Sequence, residues 1–167
     1  MPTPIAEQAR GSSRRERLRD DLLAARDEYH RALATISDEQ WTMPSGNPKW
    51  TVGAVLAHIV LGLETVPLRL RAARQGRPRM RMPRVAFDVI NTGLSRRLSR
   101  RHDRTTIGRS FDEKHAVVLA LLDGIDDREW DLVSRVYVQR FTVEEIFGYQ
   151  VVHIRGHLEE VTAGLGR

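Results

Sequence analysis

Cysteine is absent from this 167-residue chain. That removes disulfides, thiolate metal sites and a cysteine nucleophile together. Any metal must be held by nitrogen and oxygen, and any thiol chemistry needs a thiol supplied from outside. Lysine is nearly absent as well, with only Lys49 and Lys114. Long apolar runs are missing: the best, from Val52 to Leu63, is too short to cross a bilayer and contains His58. No membrane span is expected. The start, Met1 to Arg17, turns from polar to basic with no apolar stretch behind the charges, unlike a secretory signal. The expected location is the cytoplasm. Strand-like alternation of useful length is lacking too. Val133 to Phe141 is β-branched enough to be extended, but it is short and reads as a loop.

What is present is helical periodicity in a chain of one domain's length. Residues 1–13 hold Pro, Gly and Ser without periodicity and are expected to form a disordered tail ahead of a single domain, residues 14–167. Leu18, Leu22, Ala25, Tyr29, Leu33 and Ile36 step by threes and fours, which predicts an amphipathic helix. Ser37 to Gln40 fits a capping box opening a short turn that ends at Trp41. Pro44, Gly46 and Pro48 then exclude regular structure. Thr51 is placed as the N-cap of a second long helix, with Val52, Val55, Leu56, Ile59 and Leu63 as its stripe, running to about Arg74 with a kink at Pro67. Gly76, Pro78 and Pro83 mark a break. Residues 84–101 suit an extra helix, with Val85, Val89, Leu94 and Leu98 on one side. Ser110-Phe111-Asp112-Glu113 reads as a capping box opening the third long helix, with His115, Val118, Leu122 and Ile125. Thr142-Val143-Glu144-Glu145 opens the fourth, whose stripe is Val143, Ile146, Gln150, His153, Ile154, His157 and Val161, ended by Gly164 and Gly166.

A weak internal repeat runs through these elements. Leu33-x-x-Ile36-Ser37-Asp38-Glu39-Gln40-Trp41 reads against Leu122-x-x-Ile125-Asp126-Asp127-Arg128-Glu129-Trp130. Trp50-Thr51-Val52-x-x-Val55-Leu56 reads against Phe141-Thr142-Val143-x-x-Ile146-Phe147. Two such halves predict an all-α four-helix bundle with an approximate internal two-fold repeat. Between Arg69 and Arg109, thirteen arginines oppose two aspartates, a balance of +11 in a chain whose net charge is +5. This basic insertion, residues 69–109, falls between the second and third long helices. An arginine bias also follows from a GC-rich genome, so the high pI is not by itself a sign of nucleic acid.

His153 and His157 lie four apart, so both rings leave one face of one helix, and that face is the apolar one. Buried imidazoles without partners cost energy, and a metal ion is the commonest chemical reason for a pair of them. His58 sits on the other helix that the repeat makes equivalent, and in a bundle it would face the pair across the core. Three imidazoles on one side of a divalent ion leave its other side open, as in catalytic sites. On its own, His-x-x-x-His on a helix is a weak signal, and no Glu follows His153 to make a zincin motif. Gly62 and Gly156 are small enough to leave room beside the rings.

Trp50-Thr51-Val52-x-x-Val55-Leu56-Ala57-His58, followed 95 residues later by His153-x-x-x-His157, resembles the DinB superfamily, which includes the mycothiol-dependent maleylpyruvate isomerases and the bacillithiol transferases. The resemblance spans roughly residues 15–163. It implies a DinB-like four-helix bundle with a divalent metal ion on His58, His153 and His157. Zinc is the first choice, and nickel or iron also suit imidazole. It implies further a homodimer, and a transferase or isomerase in which a low-molecular-weight thiol of the mycothiol type attacks a small electrophilic molecule. The long basic segment 69–109 departs from the common pattern and leaves the substrate open.

Tyr149 is one turn before His153, and the repeat places it where His58 sits in the first half. It reads first as a core tyrosine, with hydrogen bonding to a metal-bound ligand as the catalytic alternative. Glu160, one turn past His157, reads as a solvated carboxylate before a partner for that ring. His115 reads as a satisfied core histidine rather than a fourth ligand, and His30 and His102 as exposed. Trp41, Trp50 and Trp130 are expected to staple the bundle ends. Arg96, Arg97, Arg100 and Arg101 form an anion patch or a solvated helix face. No aromatic residues interleave with them to stack bases, which disfavours nucleic acid. Two functions therefore stand: the thiol-dependent enzyme, and a non-catalytic, metal-stabilised binding protein whose arginine segment engages an anionic partner.

Overall fold

The computed structural model describes residues 4–76, 83–136 and 139–166. In chain order these form α1 (Pro4–Thr35), α2 (Asp38–Trp41), α3 (Val52–Glu64), α4 (Val66–Gln75), α5 (Arg84–Arg101), α6 (Arg104–Asp123), β1 (Val133–Val136), β2 (Gln139–Thr142) and α7 (Val143–Gly164). Helices α1, α3, α6 and α7 make the bundle, with α3 against α6 and α7, and α1 against the same two. Helix α5 lies outside on α3, and α4 packs on the hairpin and α7.

The periodic stripes become the core. Leu22, Ala25 and Tyr29 of α1, Val52, Val55, Leu56 and Ile59 of α3, and Val143, Ile146 and Ile154 of α7 are fully buried. Each bundle helix after the first opens on a side-chain cap. Thr51 accepts from the amide of Ala54, and Thr142 and Glu145 form a reciprocal box. Such a cap satisfies amides that the helix itself leaves unpaired.

Several expectations need correction. Residues 4–13, expected in a disordered tail, are the first turns of α1, while residues 1–3 lie outside the described residues. The third bundle helix starts at Arg104 rather than near Ser110. Asp103 accepts from the Thr106 amide and Thr106 answers to the Asp103 amide, a complete box that opens the helix before the Ser110 sequence is reached. The stretch Val133 to Phe141 is not a loop: β1 and β2 pair antiparallel in the register Val133↔Thr142 and Ser134↔Phe141. The first half has a vestige of the same pairing in an isolated antiparallel bridge, Pro44↔Thr51.

The second long helix is two helices, parted at Thr65, whose φ and ψ of −78° and −20° serve both as C-cap of α3 and N-cap of α4. The break precedes Pro67 because proline withholds its amide and crowds the carbonyl four residues back. Within Val52–Gln75 one 18-residue window reaches a mean hydropathy of 1.4, enough by length and composition for a membrane span, yet 61% of that window is buried inside the fold. It behaves as the central core helix. On α5 the Val85, Val89 and Leu94 side chains face outward, with exposures of 75%, 67% and 49%. The small Ser95 and Ser99 are the buried ones. Pro78, expected to help break the chain, lies outside the described residues.

Candidate metal centre

His58 projects from the middle of α3, and His153 and His157 project from α7, the neighbouring bundle helix. The three rings converge. His153 Nε2 is 3.1 Å from His58 Nε2, and one potential ligand nitrogen from each ring lies within 4.8 Å of the others. Ring centroids are 4.9 Å apart for His58 and His153, 4.7 Å for His58 and His157, and 4.6 Å for His153 and His157.

Two neighbours fix this arrangement. Glu160, one turn along α7, has a carboxylate oxygen 3.0 Å from His157 Nδ1. The imidazole donates to the carboxylate, which leaves Nε2 with a lone pair. This places Glu160 beside the cluster rather than in free solvent, as a partner that orients a ligand ring. Gly62 on α3 provides the space for His153. A β-carbon there would stand 2.6 Å from His153 Cε1 and 2.9 Å from its Nδ1. Gly156 has no such role, because nothing approaches its position within 4 Å.

Burial keeps two of the imidazoles neutral. It pushes His58 down to about 4, aided by the nearby His157 and partly offset by the Asn91 side chain, which favours the protonated ring. It pushes His153 down to about 2, aided by His58, His157 and the Arg69 guanidinium. A neutral imidazole is the form that ligates a metal. Zinc about 2.0–2.1 Å from tetrahedral nitrogens sets those nitrogens about 3.3 Å apart, close to the His58–His153 separation. The donor set fits a divalent ion.

Around the cluster, Trp50 packs its ring 4.5 Å from that of His58 and 5.8 Å from that of His157. It borders the site instead of merely stapling a bundle end. The Tyr149 ring lies tilted at 5.5 Å from that of His153 and 5.3 Å from that of Phe141, and the Arg69 guanidinium lies 5.2 Å from the Tyr149 ring centre. Arg69 on α4 escaped the sequence reading. Its signal was an arginine one turn into α4 beside the apolar Val66 and Leu70, but only the fold brings it to Tyr149.

The other candidates are elsewhere. His115 is buried in α6, donates Nε2–H to the Leu22 carbonyl at 3.0 Å and stacks on Phe111. His30, expected to be exposed, is half-buried with its Nε2 2.9 Å from Asp112. His102 is half-buried too, at the end of α5.

Residues 22–155 match the mycothiol maleylpyruvate isomerase N-terminal domain. The chain belongs to that family. The mycothiol maleylpyruvate isomerase N-terminal domain family lies within the DinB-like superfamily. Two solved structures share the bundle. One is YfiT from Bacillus subtilis, described as a probable metal-dependent hydrolase with an unusual four-helix bundle topology. It superposes with a TM-score of 0.73 at 17% identity, covering 99% of this chain and 91% of that one. The other is the colibactin self-resistance protein ClbS, solved in complex with a dsDNA. It gives a TM-score of 0.70 at 10% identity, covering 90% of this chain and 94% of that one. At these identities the likeness is one of fold. Among curated proteins, none matches the sequence significantly.

Proposed function

We propose that His58, His153 and His157 hold one divalent metal ion and that the loaded protein is a thiol-dependent transferase or isomerase for a small electrophilic molecule. The observation that carries this reading is the convergence of three imidazole nitrogens from two helices within 4.8 Å. The family of isomerases to which the chain belongs supports a mycothiol-type thiol as co-substrate, as does the lack of any cysteine of its own. A divalent ion bound there would supply Lewis acidity, holding a thiol or a water deprotonated at neutral pH.

The chain's own residues have separate tasks. Burial holds His58 and His153 in the neutral, ligating form. Glu160 fixes the tautomer and orientation of His157. Trp50 and Tyr149 flank the cluster with flat apolar surface that excludes water. The Tyr149 hydroxyl is the proposed hydrogen-bond donor to whatever occupies the open side. Zinc is the first candidate for the ion, in a protein of the cytoplasm acting as a homodimer over a single domain.

Elemental analysis tests the first half of the proposal. About one zinc, nickel or iron per chain is expected in the purified or reloaded protein, and none in His153→Ala. A variant that keeps stoichiometric metal, or a native protein that retains none after loading, overturns the metal reading. Mycothiol consumption with an electrophile, measured for loaded and chelated protein, tests the second half. YfiT's description supports a neighbouring reading in which the same donor set acts on water. Turnover without any thiol would favour that hydrolase. A binding role without turnover draws support from the exposed Arg96, Arg97, Arg100 and Arg101 on α5 and from ClbS, solved with a dsDNA. Salt-sensitive duplex binding in the absence of catalysis would favour it.

A further inference from the structure

A cavity of about 680 Å³ opens between the loop that joins α2 to α3 and the C-terminal half of α5. None of the three clustered histidines lines it. Its volume falls in the range that encloses small organic ligands. Its walls are of two kinds, aromatic and cationic.

The aromatic side is rigid. Trp41 donates its indole N–H to the Ser99 carbonyl at 3.2 Å. Its ring packs so closely on α3 that a β-carbon on Gly53 would stand 2.4 Å from it. Trp50 donates to the Thr92 hydroxyl at 3.3 Å. Two indoles therefore line the cavity, each held by a hydrogen bond to α5, and Pro44 and Pro48 extend that surface.

The cationic side carries an excess of charge. Lys49, Arg96, Arg100 and Arg104 line the cavity against only Asp38 and Asp103. Both carboxylates are already engaged. Asp38 pairs with Arg104 at 2.9 Å, and Asp103 caps α6 by accepting from the Thr106 amide and hydroxyl at 2.8 and 2.7 Å. Arg96 is anchored at the rim by donating to the Lys49 carbonyl at 2.7 Å. Among the described residues neither Lys49 nor Arg100 has a carboxylate partner. Arg96 and Arg100 also line an adjoining groove of about 520 Å³ with Arg97 and Arg101. The cations thus continue outward from the mouth of the aromatic cavity.

Guanidinium groups match phosphate oxygens in geometry and charge, and indoles give flat contact area at small entropic cost. We propose that this cavity is a second ligand site, for a small organic phosphate that carries an aromatic or heteroaromatic ring. The ring lies against Trp41 and Trp50, and the phosphate meets Arg96, Arg100 and Lys49. The site does not depend on the metal reading, although Trp50 touches both places.

Calorimetric titration of the full chain with phenyl phosphate, phenol and inorganic phosphate tests the proposal. Phenyl phosphate should bind about tenfold or more tightly than either fragment. The Arg96→Gln and Arg100→Gln double variant should weaken it by about tenfold while metal content stays unchanged, and Arg100→Gln alone should weaken it with thermal unfolding unchanged as well. Should the double variant fail to fold, Arg100→Gln alone serves, since that side chain makes no hydrogen bond to the fold among the described residues. Chelating the metal should leave phenyl phosphate binding intact, so failure here is distinguishable from failure of the metal centre. Equal affinity for phenyl phosphate and inorganic phosphate, or binding indifferent to Arg100, overturns the proposal. Binding of a short duplex oligonucleotide through the same arginines, with none of phenyl phosphate, also overturns it.

Discussion

Two glycines that look alike in the sequence do different things in the fold. Gly62 gives His153 its place, whereas nothing comes near Gly156. Gly62→Ala should therefore lower metal content or affinity, while Gly156→Ala should leave both unchanged, with elemental analysis as the readout. Periodicity put both beside the histidines, but only packing between α3 and α7 tells them apart. Glu160 is a similar case. Its spacing from His157 was legible, and the hydrogen bond was not, because spacing leaves the rotamer open. Glu160→Gln should weaken metal binding by about 10–100-fold with little change in unfolding. His115 tests burial without a metal. Burial lowers its affinity for protons below the ordinary value of 6.5, against the Leu22 hydrogen bond, with Arg26 and His30 on α1 acting with burial and Asp112 on α6 opposing it. A folded state that resists protonation loses stability as pH falls below about 6.5. Urea midpoints should drop between pH 7 and 5.5, and His115→Asn should make that slope shallower, the remainder belonging to His58 and His153.

Helix starts were the most legible elements, because a cap is a local chemical event. Ser37, Thr51 and Thr142 all cap where their sequences say. Thr142→Ala should cost about 1 kcal/mol, or about 2–4 °C in melting temperature for a chain of this size. The α6 start was missed because Asp103-x-x-Thr106 uses a threonine in place of the usual acidic or amide partner. The hairpin was missed because two strands of four residues leave too few positions for alternation to register. Outward-facing Val85, Val89 and Leu94 mark the limit of stripe reading on α5. An apolar stripe predicts a helix there, but small serines are what let α5 approach α3 closely.

At the scale of the molecule, the four-helix bundle could be read directly, since five periodic positions on α1, Ile36 just past its end and five on α3 all went to the core. The meeting of His58 with His153 and His157 followed from the repeat, but its closeness depended on helix packing. An ion held by α3 and α7 fastens the two halves of the chain. At about a hundredfold excess over its dissociation constant it should add about 2.7 kcal/mol, visible as a rise of about 5–10 °C in melting temperature that a chelator reverses. An unchanged melting curve would count against a site shared between the halves. The pseudo-symmetry has one more consequence. Carrying the Thr51–Thr142 correspondence along both helices sets His58 opposite Tyr149, Gly62 opposite His153 and Val66 opposite His157. The second half's ring thus rests on the very residue that is its own counterpart. Pairing two copies of the first half would supply a cradle with no imidazole to fill it, and two copies of the second would crowd four rings with no cradle. The differences between the two halves, not their likeness, create the centre.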